Sequence, residues 1–157
     1  MKKIKLTQNK YALVDDRDFD FLNQWNWYAR KTPNSWYVQR MYKRKVIIMH
    51  RVLLSPKGDF LKKSVQVDHK NMNGLDNRRS NIRICTKTEN DRNRPKQKNN
   101  TSGYKGVRAS GSKFLARIRV NKKLLYLGTF KTAKLAAKTY NKAAVLCFGE
   151  FAYLNKI

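Results

Sequence analysis

Negative charge is what this chain most lacks. Of its 157 residues, ten are Asp or Glu against thirty-six Lys or Arg, giving a formal net charge of +26 and a sequence pI near 10.4. Such a field opposes compaction by self-repulsion, so an enzyme for a small neutral substrate has no use for it. It becomes useful against a polyanion, because each phosphate neutralised releases condensed counterions. Nucleic acid is therefore the expected partner. Long apolar runs are missing too. No stretch of about eighteen apolar residues is present to span a bilayer, and the opening MKKIKLTQNKYALV is basic without the apolar segment of a signal peptide. These absences predict no membrane association and a cytoplasmic protein. Cysteine is scarce: Cys85 and Cys147 stand far apart with no neighbouring ligand residues. Each reads as a reduced thiol filling apolar space rather than as half a disulfide or part of a zinc site.

Apolar residues are not scarce. They make up 41% of the chain, enough to exclude wholesale disorder, and the length suits one ordinary domain or two to three small modules. The few acidic residues are unevenly spread. Asp15, Asp16, Asp18 and Asp20 crowd one early stretch, whereas after Asp91 only Glu150 follows. That asymmetry suggests modules with different duties.

The fold class expected is α+β. Residues 1–48 read as a small β-rich module. KYALV and SWYVQRMY alternate and are rich in β-formers, KRK turns into a strand at VIIM, and TPNS is a hairpin loop. DFDFLNQW is a short helix entered through Asp16 or Asp18. Trp25, Trp27 and Trp36 could stack on bases, but aromatics at strand positions more often build a core. MHRVLLSPKG follows as a helix ended by Ser-Pro.

Next comes VDHKNMNGLDNRRSNIR, and then ICTKTENDRNR. The pattern is strand, loop, strand, helix over residues 65–94, with Thr86 and Glu89 spaced as a capping box that puts Asn90 in the first helical turn. Asp68 and His69 sit at the end of the first strand and Asn81 near the start of the second. Oxygen ligands such as Asp68 and Asn90, held on separate elements, suit a hard cation like Mg2+. A neutral histidine beside them could take a proton from water. On chemistry alone the set also fits a structural Asp-His pair in an asparagine-rich turn. His50 fits packing beneath this motif better than a phosphate contact.

The order and spacing of HR at 50–51, VDHKNMNGLDNRRSNIR and TKTENDRN resemble the HNH endonucleases, the ββα-metal nucleases, and among them the phage and intron homing type. The resemblance spans residues 49–94. It implies Asp68 and Asn90 as metal ligands, His69 as general base, and Asn81 as the residue that pins the loop and helps hold the histidine. Asparagine at 90 argues against zinc; Mg2+ is implied, with Mn2+ possible. Arg78, Arg79 and Arg83 are expected to touch phosphates.

RPKQKNNTSG, with no apolar anchor, reads as a basic linker centred on residues 95–101. In KFLARIRV, Phe114, Ala116, Ile118 and Val120 share one strand face and Lys113, Leu115, Arg117 and Arg119 the other. NKK turns the chain into LLYLGTF, YKGVRA supplies a third strand, and Thr132 caps an alanine-rich helix ended by Gly149. A three-stranded antiparallel sheet covered on one face and basic on the other follows. SGYKGVR, KFLARIRV, LLYLGTFKTAKLAAKTYNKAA and the closing LN resemble the AP2 DNA-binding domain, over residues 102–157. That likeness implies DNA contacts at Lys105, Arg108, Lys113, Arg119 and Tyr126, with Arg117 on the same face. Leu124 and Arg117 depart from the plant pattern, so the plant recognition sequence does not transfer.

The resulting expectation is a site-specific DNA endonuclease that hydrolyses phosphodiesters with a divalent metal. Its partner is double-stranded DNA, with one active site per monomer, nicking one strand, and no obligate protein partner. The rival is a DNA-binding regulator that keeps the same folds without cutting. An RNA-binding role is weaker, since the basic face lacks paired aromatics.

Overall fold

The computed structural model describes residues 1–33, 35–55 and 65–157, and the chain divides into two compact units, Met1–Asn90 and Asp91–Ile157. No helix among the described residues is long and apolar enough to cross a membrane. The architecture is mixed α+β, with several small sheets and few helices.

In the first unit, β1 (Lys2–Lys5) and β2 (Tyr11–Val14) form an antiparallel pair with Lys2 opposite Val14. β1 escapes sequence inspection because three of its four residues are exposed lysines and only Ile4 is buried. α1 (Asp16–Asn23) starts after Asp15, the N-cap residue, rather than being entered through Asp16 or Asp18. The Asp15 side chain makes no cap hydrogen bond; it accepts the backbone N–H of Arg79 instead. β3 (Tyr28–Lys31), β4 (Trp36–Tyr42) and β5 (Lys45–Ile48) make an antiparallel sheet with β4 central. Alternation puts Val38 opposite Ala29, and both sides of that pair enter the core. Trp27 is 4% exposed and donates its indole N–H to the Leu22 carbonyl at 2.8 Å. Trp25 and Trp36 pack against the same core, so the tryptophans build the interior.

α2 (Met49–Leu53) leads to β6 (Gln66–His69), which pairs antiparallel with β7 (Ile82–Cys85), and α3 (Lys87–Arg92) follows. The Pro of the Ser-Pro stop after α2 lies outside the described residues. The capping box forms: Thr86 N–H donates to Glu89 Oε2 at 2.8 Å and Glu89 N–H to Thr86 Oγ1 at 3.2 Å. One buried cluster runs from Ile4 through Leu22, Val38 and Met49 to Ile82, so residues 1–48 and the segment after them share a core. Leu22 and Met49 are fully buried, each contributing about 2–3 kcal/mol.

The β6–β7 loop is stitched to the N-terminal strands. Leu13 N–H donates to Leu75 O at 2.9 Å and Asn77 N–H to Leu13 O at 2.8 Å. Gly74 N–H donates to Ser35 Oγ at 3.2 Å. A Cβ on Gly74 would collide with the Trp36 carbonyl oxygen and the Tyr37 ring, so close backbone approach requires glycine there.

In the second unit, β8 (Val107–Ser110), β9 (Lys113–Val120) and β10 (Lys123–Phe130) form an antiparallel sheet in the order β10-β9-β8. α4 (Ala133–Phe148) packs on one face. Ala136, Ala137 and Ala144 on the helix and Ala116 on β9 are all 0% exposed, because small side chains let helix and sheet approach closely. Thr132 Oγ1 accepts Leu135 N–H at 3.2 Å, and Gly149, with φ 53, ends the helix. A bulge interrupts β10: Tyr126 faces Arg117 and Gly128 faces Ala116. The extra residue, Leu127, is added to the core, which simple alternation does not anticipate.

Candidate active site

β6 delivers Asp68 and His69 side by side, with Asp68 opposite Arg83 and His69 opposite Ile82. Both are nearly buried, at 6% and 5% exposure. Asp68 Oδ2 accepts Arg83 Nη2 at 2.6 Å and Nε at 3.0 Å. Arg83 is itself 9% exposed, so its guanidinium is first a counterion for Asp68. Losing either partner would remove two charge-assisted hydrogen bonds from a nearly buried pair.

Asn81 closes the loop that follows. Its Oδ1 accepts Asn71 N–H at 3.0 Å, and its Nδ2 donates to Asn71 Oδ1 at 3.0 Å and Asp76 O at 2.7 Å. The Asn81 carbonyl accepts Lys70 N–H at 2.8 Å, one residue beyond His69. Asp76 ties the same loop from the other side. It accepts Asn71 Nδ2 at 2.9 Å, and Arg78 through both Nε at 2.8 Å and Nη2 at 2.6 Å. The Arg78 guanidinium holds the Asp76 carboxyl below its usual range, outweighing burial.

His69 lies against two other rings. The His50 centroid is 4.8 Å away, edge-on at 87°, and Tyr37 is 6.0 Å from each histidine. Burial pushes the His69 pKa below its ordinary value; Asn77, Asp68 and Asp76 pull the other way. His69 is therefore neutral at pH 7, as a proton acceptor must be. His50 is 6% exposed, and burial, then the fields of His69 and Arg51, push its pKa down to about 3. Its Nδ1 has no hydrogen-bond partner among the described residues. His50 thus packs beneath the motif.

Asn90, on α3, lies close enough to β6 to direct its Nδ2 at Gln66 Oε1, 3.4 Å away. With the amide N–H so directed, Oδ1 is the atom Asn90 has to offer a ligand. Among the described residues no three His, Cys, Asp or Glu side chains gather as a metal cluster. A cation here would depend on one carboxylate, one amide oxygen, and oxygens from water or phosphate. That donor set fits a hard divalent ion that keeps much of its own hydration and does not fit zinc.

The remaining arginines of the motif are also paired. Arg79 reaches Asp18 on α1 through Nε and Nη2, both at 2.8 Å, and its N–H donates to Asp15 at 2.8 Å. Arg78, Arg79 and Arg83, expected at phosphates, thus each hold a carboxylate. The anchoring roles of Asp15, Asp18, Asn71, Asp76 and Gly74 were missed from sequence. Their one visible signal was the crowding of acidic residues near Asp15 in a chain otherwise short of them.

In the second unit the cross-strand pairs Arg119–Leu124, Arg117–Tyr126 and Arg108–Leu115 line the sheet face away from α4. Arg108, Lys113 and Arg119 are exposed, Arg117 is half-buried, and Tyr126 is 64% exposed. Lys105 differs: its Nζ donates to Arg92 O and Arg94 O, both at 2.6 Å. Burial, then Arg94, pushes its pKa down to about 8.

A family model described as HNH endonuclease matches residues 49–92, the segment from α2 through α3. An uncharacterized HNH endonuclease of Acanthamoeba polyphaga mimivirus is 30% identical over 150 residues, spanning 94% of this chain and 75% of the viral protein. No solved structure matches the chain. The match falls on the strands, loop and helix that carry Asp68, His69, Asn81 and Asn90, and the viral likeness runs nearly the whole length: this chain belongs to the HNH endonucleases.

Proposed function

We propose that the protein is a site-specific DNA endonuclease of the homing type that nicks duplex DNA as a monomer. In this reading residues 49–94 cut, residues 95–101 link, residues 102–157 read sequence in the manner of an AP2 domain, and the β-rich residues 1–48 support the cutting module. His69 is the general base and Asn81 holds its loop. Asp68 and Asn90 would hold the cation, Mg2+ or Mn2+, which when bound would supply Lewis-acid polarisation of the scissile phosphate. His69 accepts a proton from water, the water oxygen bonds to phosphorus, and the bond from phosphorus to the leaving oxygen breaks. Arg108, Lys113, Arg117, Arg119 and Tyr126 contact DNA; a bidentate arginine at guanine discriminates by about 1–3 kcal/mol per base.

The observation that carries this reading is the frame around Asn81, whose three side-chain hydrogen bonds close the loop directly after the Asp68–His69 pair. A protein that only binds DNA has no need of it. The regulator reading has one observation in its favour, the Arg83 guanidinium already neutralising Asp68. Incubation of a randomised duplex library with Mg2+, beside His69→Ala and an EDTA control, separates the two. Nicks at a common site that disappear in both controls are expected. Equal enrichment of the same sites by wild type and variant, with no strand broken, would establish the regulator.

A further inference from the structure

We infer that the β4–β5 hairpin is a separate DNA-binding element, gripping duplex phosphates to one side of the cut through Lys43, Arg44 and Lys45. The last two rungs of the ribbon, Met41–Val46 and Tyr42–Lys45, extend past the core. Met41, Tyr42 and Val46 are 53%, 51% and 46% exposed, and residues 43–45 are exposed as well. A protruding two-stranded ribbon has the dimensions of the DNA major groove, and three successive cations at its tip complement a phosphate backbone. Among the described residues none of the three meets a carboxylate; Lys43 Nζ lies 5.5 Å from the Tyr42 ring.

The turn itself argues for a role. Lys43 and Arg44 have φ of 44° and 61°, the left-handed pair of a two-residue hairpin that favours Asn-Gly. Each residue with a Cβ costs about 1 kcal/mol there. The β9–β10 turn, with φ of 48° and 67° at Asn121 and Lys122, at least uses asparagine first. The β4–β5 turn uses neither asparagine nor glycine, so two cations stand where backbone energetics disfavour them. Gln8 and Lys122 are also left-handed, but each has an asparagine beside it in its turn; the β4–β5 tip has two cations instead. The base of the ribbon is braced: the Arg40 guanidinium lies 4.4 Å from the Trp25 ring, 5.6 Å from Trp27 and 5.5 Å from Tyr42.

The position of the ribbon sets where it binds, on the reading that His69 marks the cut. Tyr37, whose ring is 6.0 Å from His69, and Met41 share a face of β4. From Tyr37 to Lys43 the strand advances about 20 Å at ~3.4 Å per residue. Laid along the duplex axis, at ~3.4 Å per base step, that length reaches phosphates up to about six base pairs from the cleaved bond.

The test is the double substitution Lys43→Asn with Arg44→Gly in the full chain. The variant should melt at the same temperature as wild type or higher, because the turn is relieved. Duplex binding in EDTA should nonetheless weaken, with the slope of log K against log salt shallower by about 1.8. Backbone protection up to about six base pairs from the nick should be lost. Lys45→Gln, which leaves the turn untouched, should make the slope shallower by about 0.9. Unchanged slope and unchanged protection in both proteins would overturn the inference and leave the nuclease reading intact. So would loss of binding to single-stranded RNA alone. A wild type that binds and shows the ribbon effect but never nicks would overturn the nuclease reading instead.

Discussion

Acid should weaken the first unit through His50. The folded protein holds this imidazole at a pKa of about 3, because the ring is 6% exposed and faces the edge of His69 at 4.8 Å. In the unfolded chain the ring titrates near its ordinary value of about 6.5. The folded pKa is depressed, so below about pH 6.5 the unfolded state binds a proton that the folded state refuses. Stability is therefore complete above that pH and is lost as pH falls toward the folded value. Each pH unit within the window costs about 1.4 kcal/mol, so moving from pH 7 to pH 5 should remove about 2 kcal/mol through His50. His69, also shifted downward by burial, adds loss of the same sign. Trp25, Trp27 and Trp36 all lie in the first unit, so tryptophan fluorescence during urea unfolding reports on it directly. His50→Gln removes the titration, and the variant should lose about 2 kcal/mol less than wild type over the same interval. If wild type and His50→Gln lose the same amount between pH 7 and pH 5, the burial argument is wrong.

Asn81→Ala should reduce nicking by more than tenfold while duplex binding persists. It should also cost the first unit about 2 kcal/mol in urea unfolding, since the buried Asp76 carbonyl and the exposed Asn71 lose three hydrogen bonds at 2.7–3.0 Å, of which water can replace those to Asn71. Nicking at the wild-type rate by a folded variant would remove Asn81 from the site. Lys105→Met should lower the melting temperature of the second unit and change DNA affinity less than Arg119→Met does. Its ammonium is already committed to the Arg92 and Arg94 carbonyls, whereas Arg119 is exposed. A larger affinity loss from Lys105→Met, measured at matched salt, would restore Lys105 as a direct contact.

Elements held by local rules were legible in the sequence. The capping box at Thr86 and Glu89, the Thr132 cap, the Gly149 stop and the alternation of β9 each depend on neighbours within a few residues, and each formed as expected. β1 was not legible, because its identity comes from pairing with β2 and only Ile4 carries the apolar signal. Asp15 takes the N-cap position of α1 without capping through its side chain, because that carboxylate serves Arg79, sixty-four residues away. The bulge at Leu127 likewise answers to the packing of α4, which no strand pattern contains. The candidate site divides in the same way. Its composition could be read from spacing, whereas the carboxylates that occupy its arginines are set by long-range contacts.

Those contacts also explain where the few negative charges went. Asp68, Asp76 and Asp18 each hold one of Arg83, Arg78 and Arg79. The arginines nearest the candidate site are thus neutralised by the fold and contribute little to counterion release. The second unit after Asp91 has only Glu150 as a carboxylate side chain. There Arg108, Lys113, Arg117 and Arg119 meet no ion-pair partner among the described residues, and in the first unit the ribbon tip is in the same state. Salt dependence of DNA binding should therefore arise from the sheet and the ribbon rather than from the motif arginines. The uneven acidic residues mark the division: carboxylates stand where arginines must shape a site, and are missing where cations must stay available to phosphate.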